Sequence, residues 1–224
     1  MDIIEAIQTR KSIRDFTSQP VPREVLEQIL ESATRAPSAM NIQPWEFAVL
    51  TGGVLENVKK TNIDLFRSGA PMQPEHATVV WPQDSVYRQR QVELGMELFR
   101  LMDIPRDDGI KRAEWMERGF YYFNAPVALI ILVDRILGQP GPMLDLGLVA
   151  QTICLAALHF GIYTCIEHQG VYYPEVLRAH ARIPATKRII TSIAMGYPNW
   201  DFPANQIETK RDPLEKITAW HGFD

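Results

Sequence analysis

Two apolar segments that leave no polar face narrow the possible folds most. Residues 125–133, "APVALIILV", run without a charged or strongly polar side chain, as expected of a β-strand covered on both sides. Residues 143–160, "MLDLGLVAQTICLAALHF", are apolar almost all round and predict a helix buried at the centre of the chain. A strand covered on two faces, next to an enclosed helix, calls for further helices on both sides of a small sheet. Neither run reaches the roughly 18 apolar residues that would suggest a membrane span.

The remaining periodicities supply those layers. "WEFAVLT" (45–51), "IYTCIEH" (162–168) and "RIITSIAMGYP" (188–198) read as strands, the first ending at Gly52 and Gly53. Residues 2–11 predict a short helix with Ile3, Ile4 and Ile7 on one face. "VPREVLEQILESA" opens a second helix, with Val25, Leu26, Ile29, Leu30 and Ala33 on one face and Pro37 as its stop. Further helices are expected after Gly53, near 86–102 and 107–118, from Pro174 and from Pro213. The Pro-rich stretch "GAPMQPEHATVVWPQDS" marks a long irregular connection, and residues 60–118 read as a flap over a site. The order of elements favours an α+β fold, one domain over 1–224.

A net charge of -4 gives no sign of a general nucleic-acid binder, so an anion site has to come from local clustering. The two cysteines, Cys154 and Cys165, match neither a disulfide framework nor a zinc spacing and read as reduced thiols. "MDIIEAIQTRKSIRDF" lacks the uninterrupted apolar core of a secretory signal, so a cytoplasmic location is expected. The five histidines never fall at metal-ligand spacing, and His159 is expected as a satisfied core histidine. No glycine-rich phosphate loop and no nucleophile elbow is present.

What does cluster is cationic and amide chemistry. "RKSIR" places Arg10, Lys11 and Arg14 around Ser12, and a helical turn would set Arg10 and Arg14 on one side. Such forks and a hydroxyl suit a phosphate, as they also suit a solvated helix end. "ETKRDP" adds Lys210 and Arg211 near the other end of the chain. "RAPSAMNIQPW" concentrates Ser38, Asn41 and Gln43 between Pro37 and Pro44. Phosphate-type and amide groups without a nucleophile, metal or phosphate loop point to a bound cofactor as the seat of the chemistry.

In order along the chain, "RKSIRDF", "RAPSAMNIQPWEF", "FNAPVALIILV", "GIYTCIEH", "AMGYP" and "KRDPLE" resemble the motifs of the FMN-dependent nitroreductase family. The resemblance covers nearly the whole chain outside residues 60–118. It implies a central mixed antiparallel sheet surrounded by helices, in an intertwined homodimer with FMN at the subunit interface. By similarity, Arg10, Ser12 and Arg211 meet the FMN phosphate and ribityl chain, with Lys11 and Lys210 beside them. Arg14 meets the N1 and O2 side of the ring. Pro37, Ser38 and Asn41 reach the cofactor of the neighbouring subunit, while Gln43 and Trp45 fix the loop. Ile166, Glu167 and His168 support the ring near N5, with His168 standing where relatives carry a glycine.

The implied activity is a ping-pong, two-electron reduction of nitroaromatic or quinone-like compounds by NADPH or NADH through flavin N5. Water or a flap residue delivers protons, with His168 a candidate donor. Trp81, Tyr87, Trp115, Phe120, Tyr121, Tyr122 and Phe123 are divided between a flat substrate pocket and the core. Arg67, Arg88 and Lys111 are candidates for the 2'-phosphate of NADPH. The dehalogenating branch of the superfamily carries a lid lysine where this chain has "ERGFYYFNAP", without Lys. A flavin reductase and a non-catalytic FMN-binding sensor are the alternatives.

Overall fold

The computed structural model describes residues 2–77 and 79–223. Four strands, β1 (Trp45–Thr51), β2 (Val127–Asp134), β3 (Tyr163–Glu167) and β4 (Lys187–Gly196), form one antiparallel sheet in the order β1-β2-β4-β3. β2 and β4 are the inner pair, and every residue of β2 except Asp134 is buried. A parallel bridge between Ser12 and Thr164 adds a short piece of backbone to the outer edge of β3 and gives the sheet its mixed character.

Side-chain alternation on β2 divides the core in two. Ala128, Ile130 and Leu132 face one way, with Leu55 and Val58 of α3 (Gly52–Arg67) and Val176 and Leu177 of α7 (Pro174–Ala181). Val127, Leu129, Ile131 and Val133 face the other way. They pack on Ile29 and Ala33 of α2 (Arg23–Ala33) and on Val149, Ile153 and Ala157 of α6 (Met143–His159). The two-sided burial expected of 125–133 and the enclosure of the central helix are both present.

Two expectations change at this level, and one element is found as expected but uncovered. Gly52 and Gly53 are the first turn of α3, and that helix runs unbroken to Arg67, packed on the core through Val58 and Asn62. Residues 60–67 therefore belong to the body of the fold, and the irregular stretch begins after them. His159 lies exposed at the end of α6 with its ring against Phe160, because it falls on the outward face of a turn whose Ala157 and Leu158 remain buried. The short helix α1 (Ile3–Thr9) buries no residue, so its isoleucines face outward, Ile3 with 71% of its surface exposed.

The α4 (Val86–Leu101) and α5 (Gly109–Glu117) pair stands apart from the sheet. It is held by a small third core of Leu98, Ala204 and Ile207, against which Trp115 and Phe202 pack. Of the aromatics weighed for a pocket, Phe120, Tyr122 and Phe123 are core, whereas Trp81 and Tyr87 are exposed. Among the described residues no helix is long and apolar enough to cross a membrane.

Ile153 is fully buried between α2 and the sheet. Ile153→Ala should lower the unfolding free energy by about 2–5 kcal/mol in a urea titration followed by circular dichroism, as cavity-forming core truncations do.

Candidate functional site

The cationic segment is not helical. α1 stops at Thr9, and Arg10 already has φ -56° and ψ 125°. From there the chain runs extended along β3, with the Ile13 N–H donating to the Thr164 carbonyl at 3.0 Å. In an extended chain residues two apart share a side, so Arg10, Ser12 and Arg14 still fall together, through a period of two. Ile13 and Asp15 point the other way and are buried.

Arg10 and Arg14 are half-buried, and among the described residues neither has a carboxylate within ion-pair distance. Arg14 Nη1 donates to the Ser12 carbonyl at 3.2 Å. Two guanidiniums and a hydroxyl on one side, without an internal counter-charge, make a face that favours an anion. Lys11 turns away from it and donates to the Asn205 carbonyl at 3.1 Å. The Arg14 backbone is gripped at both ends: its N–H donates to Asn205 Oδ1 at 2.6 Å, and its carbonyl accepts from Arg118 Nη2 at 2.9 Å. Nothing in the sequence pattern singles out Asn205 or Arg118, which lie far along the chain.

β3 carries this face onward. Thr164 and Cys165 are buried, while Ile166 between them and Glu167 is 42% exposed, a flat aliphatic patch beside the cations. Burial pushes the Cys165 thiol up to about 12, against the opposing pull of Arg14 and of a hydrogen bond to Ser12. The Glu167 carboxylate turns inward instead of toward that patch. It accepts from the Ser192 hydroxyl and, at 2.9 Å, from the Gly170 N–H. The Tyr122 hydroxyl donates to the Gly170 carbonyl at 2.7 Å, and Asn62 Nδ2 donates to the Phe120 carbonyl at 3.2 Å. Burial, then the charge of Glu167, pushes the Tyr122 phenol well up. Glu167 therefore shapes the turn after β3 from behind.

His168 has φ -108° and ψ -18°, a conformation open to any L residue, so this backbone needs no glycine at that position. The glycine that the turn does need is Gly170, where a Cβ would meet Tyr122 Cε1 at 2.2 Å and Glu167 Oε1 at 2.5 Å. The His168 ring lies 6.4 Å from that of His76. Burial first, and His76 second, lower the His168 pKa below its usual 6.5, so the ring is neutral at neutral pH. It then offers a single N–H in place of an imidazolium.

The loop at 37–43 is built otherwise. Met40, Asn41 and Gln43 all have positive φ, of 48°, 58° and 45°. Such backbone costs of order 1–3 kcal/mol per residue and persists where surroundings fix it. Within one chain the loop is held by its own turn bonds, from the Asn41 N–H to the Ser38 carbonyl at 3.0 Å, from the Ile42 N–H to the Ala39 carbonyl at 3.1 Å, from the Gln43 N–H to Ser38 Oγ at 3.0 Å and from Gln43 Nε2 to the Asn41 carbonyl at 3.2 Å, and by a long bond from the Ala39 N–H to the buried Asp145 carboxylate at 3.4 Å. Trp45 anchors the C-terminal end in the core, as expected, while Met40 is 96% exposed. Among the described residues no hydrogen bond or ion pair joins Ser38 or Asn41 to the Arg10–Arg14 face. In the tail, Arg211 is exposed, and among the described residues its Nη1 donates to Thr209 and Lys210 atoms while Nε and Nη2 make no bond. Of the cations weighed for NADPH, Arg67 is committed to Glu117 by two bonds, at 2.9 and 2.8 Å. Arg88 donates to Gln91 and Lys111 to the Asp103 carbonyl. Among the described residues no cluster of three or more His, Cys, Asp or Glu side chains is placed to hold a metal.

Comparison with known proteins places this architecture. A model of the Nitroreductase family matches residues 7–197. The nitrobenzene nitroreductase of Ectopseudomonas oleovorans is 31% identical over 219 residues, covering 97% of this chain and 96% of that protein. The chloronitrobenzene nitroreductase of Comamonas testosteroni is 32% identical over 220 residues, with 97% and 96% covered. Among solved structures, the FMN and NADPH-dependent nitroreductase NfnB from Sphigopyxis sp. strain HMH superposes with a TM-score of 0.91 at 30% identity, both chains covered in full.

The carboxyl behind the β3 turn sets a pH dependence. Burial pushes Glu167 from its ordinary 4.5 up to about 7, against the hydrogen bonds from Ser192, Gly170 and Gln169. A folded pKa above the unfolded one means that the folded state holds the proton more tightly. The stability this contributes is complete below about 4.5 and is lost as pH rises to about 7, an effect of order 3 kcal/mol. Glu167→Gln should flatten the unfolding free energy measured from about pH 5 to about pH 8. A variant whose profile stays as steep as that of the parent would assign the slope to another group.

Proposed function

The chain belongs to the nitroreductase family, and from that premise we propose that it is an FMN-dependent NAD(P)H oxidoreductase of small nitroaromatic compounds. The observation that carries this reading is the extended Arg10–Ser12–Arg14 face, whose half-buried guanidiniums pair with no carboxylate among the described residues, beside the exposed Ile166. This donor set fits FMN: forks and a hydroxyl for a phosphate and polyol, then a flat aliphatic surface for a ring. Arg10 and Ser12 hold the phosphate end and Arg211 closes on it, with Lys210 adding charge. Lys11 fixes the 199–207 loop. Arg14 faces the N1 and O2 edge, and Ile166 supports the ring. The backbone at Glu167 and His168 lies toward N5.

Held by Arg10, Ser12, Arg14 and Arg211, FMN would supply two-electron hydride chemistry between a nicotinamide and a nitro group, in a ping-pong order. Each round converts a nitroarene, NAD(P)H and a proton into a nitrosoarene, NAD(P)+ and water. The role of the chain is electrostatic and geometric. Arg14 stabilises negative charge at the ring edge through a charge-assisted contact worth about 1.5–3 kcal/mol. His168, neutral at working pH, contributes one N–H at the rim, and water supplies the protons. The α4–α5 pair and the irregular stretch before it cover the substrate side.

A homodimer completes the site. Support comes from the apolar Ile3, Ile4 and Ile7 face of α1, from the exposed Met40 and Ile42, and from the left-handed residues of the 37–43 loop. A second copy seated there buries the apolar surface and carries Pro37, Ser38 and Asn41 to the neighbour's cofactor. The two buried free thiols suit a reducing cytoplasm.

Anaerobic titration of the purified protein with NADPH, then NADH, should bleach the flavin band stoichiometrically, and a nitroarene should restore it. A flavin band indifferent to both nucleotides would sink the enzymatic reading and favour a sensor. Arg14→Ala should lower the potential of bound FMN by about 30–60 mV, the two-electron equivalent of the contact above. Ile4→Glu combined with Ile7→Glu should turn dimer into monomer in sedimentation velocity and weaken FMN binding. A dimer of unchanged affinity would take α1 out of the interface.

A further inference from the structure

The side of Arg14 turned away from the proposed cofactor face belongs to a densely bonded polar cluster around Asp15 and Asn205. Asn205 is fully buried, and its Oδ1 accepts the Arg14 N–H. Its Nδ2 donates to the Asp15 carbonyl at 2.9 Å and to the Asn199 carbonyl at 2.8 Å. Arg118 stands at the C-terminal cap of α5. Its Nη2 donates to the Arg14 carbonyl at 2.9 Å and to Asp15 Oδ1 at 2.5 Å, and its Nη1 donates to the Tyr121 hydroxyl at 3.2 Å. The guanidinium lies 4.3 Å from the centroid of the Phe202 ring, with a buried Nε that has no partner. Asn124 and Asn199 donate to the two oxygens of the Asp15 carboxylate at 2.9 and 2.8 Å.

The chemistry of this cluster is positional. Fixing both the N–H and the carbonyl of one residue fixes the direction in which its side chain leaves the backbone. Here one bond comes from Arg118, at the end of α5, and the other from Asn205, which follows Ala204 in the small core that docks α4. Both holds on Arg14 therefore pass through groups that seat the α4–α5 pair. A guanidinium clamped by Asp15 and stacked on Phe202 is a rigid coupling, because its fork is planar and preorganised.

We infer that Arg118 is a positioning residue for Arg14, so that the seating of the α4–α5 pair and the aim of the Arg14 guanidinium form one coupled unit. This rests on the reading that Arg14 faces the flavin ring. Displacing these helices then changes the positive charge felt at the ring edge, and substrate access becomes linked to the electronics of the cofactor.

The test is a double-mutant cycle on the FMN-loaded protein, read as flavin potential by dye equilibration and as FMN affinity by fluorescence, with melting temperature alongside. Arg118→Met keeps a stem on Phe202 and removes the donors. It should shift the potential in the same direction as Arg14→Ala, by at least half as much, and have no further effect in the Arg14→Ala background. Arg118→Lys, which keeps a charge beside Asp15 but is one bond shorter and has no fork, should shift it the same way. This variant decides the matter if the methionine protein does not fold. A lower melting temperature with an unchanged potential would overturn the inference and leave Arg118 purely structural. Equal shifts in both backgrounds would overturn it too, since the charge of Arg118 would then act on the flavin directly. An unchanged potential in Arg14→Ala alone would overturn the placing of Arg14, and the inference with it.

Discussion

The two-sided burial of β2 is the constraint from which the rest of the structure follows. A strand with Val127, Leu129, Ile131 and Val133 on one face and Ala128, Ile130 and Leu132 on the other has to lie inside a sheet with helices above and below. β4 fills the place beside it, and the short strand β3 is left at an edge. That edge accepts the extended segment after α1, with Ser12 bridged to Thr164. The unpaired cations thus stand beside the sheet because the sheet's own edge organises them.

Features that rest on local periodicity were legible in the sequence. The alternation of β1, the uninterrupted apolar run of β2 and the all-round apolarity of α6 each correspond to the element observed. The side shared by Arg10 and Arg14 was legible as well, although for a different reason, since residues four apart coincide both in a helical turn and in an extended chain. His159 was misplaced because an apolar neighbourhood in sequence does not reveal which side of a nearly all-apolar helix faces outward. The inward turn of the Glu167 side chain depends on Ser192 of a neighbouring strand, and no local pattern carries that information.

The least legible part is the polar cluster behind Arg14. Arg14 and Asn205 are separated by 191 positions, and Arg14 and Arg118 by 104. Asparagines scattered through a turn-rich tail look like ordinary loop residues until the fold brings them round a buried aspartate. Their bonds satisfy the Asp15 carboxylate fully enough for it to sit inside the protein, where an unpartnered charge would be expelled or neutralised. Buried polar groups of this kind specify one arrangement over its competitors, and here the arrangement specified is that of the Arg14 backbone.

The chain's two thiols bear on how long such an enzyme survives its own products. Nitrosoarenes are electrophiles that add readily to thiolates. Cys165 lies under the site with its thiol pushed up to about 12 by burial, and Cys154 is buried and shifted the same way. Both cysteines of the sequence are thus held toward the thiol form, which adds to electrophiles far more slowly than a thiolate. The packing that closes the sheet thereby also keeps both sulfurs out of contact with electrophiles in solvent.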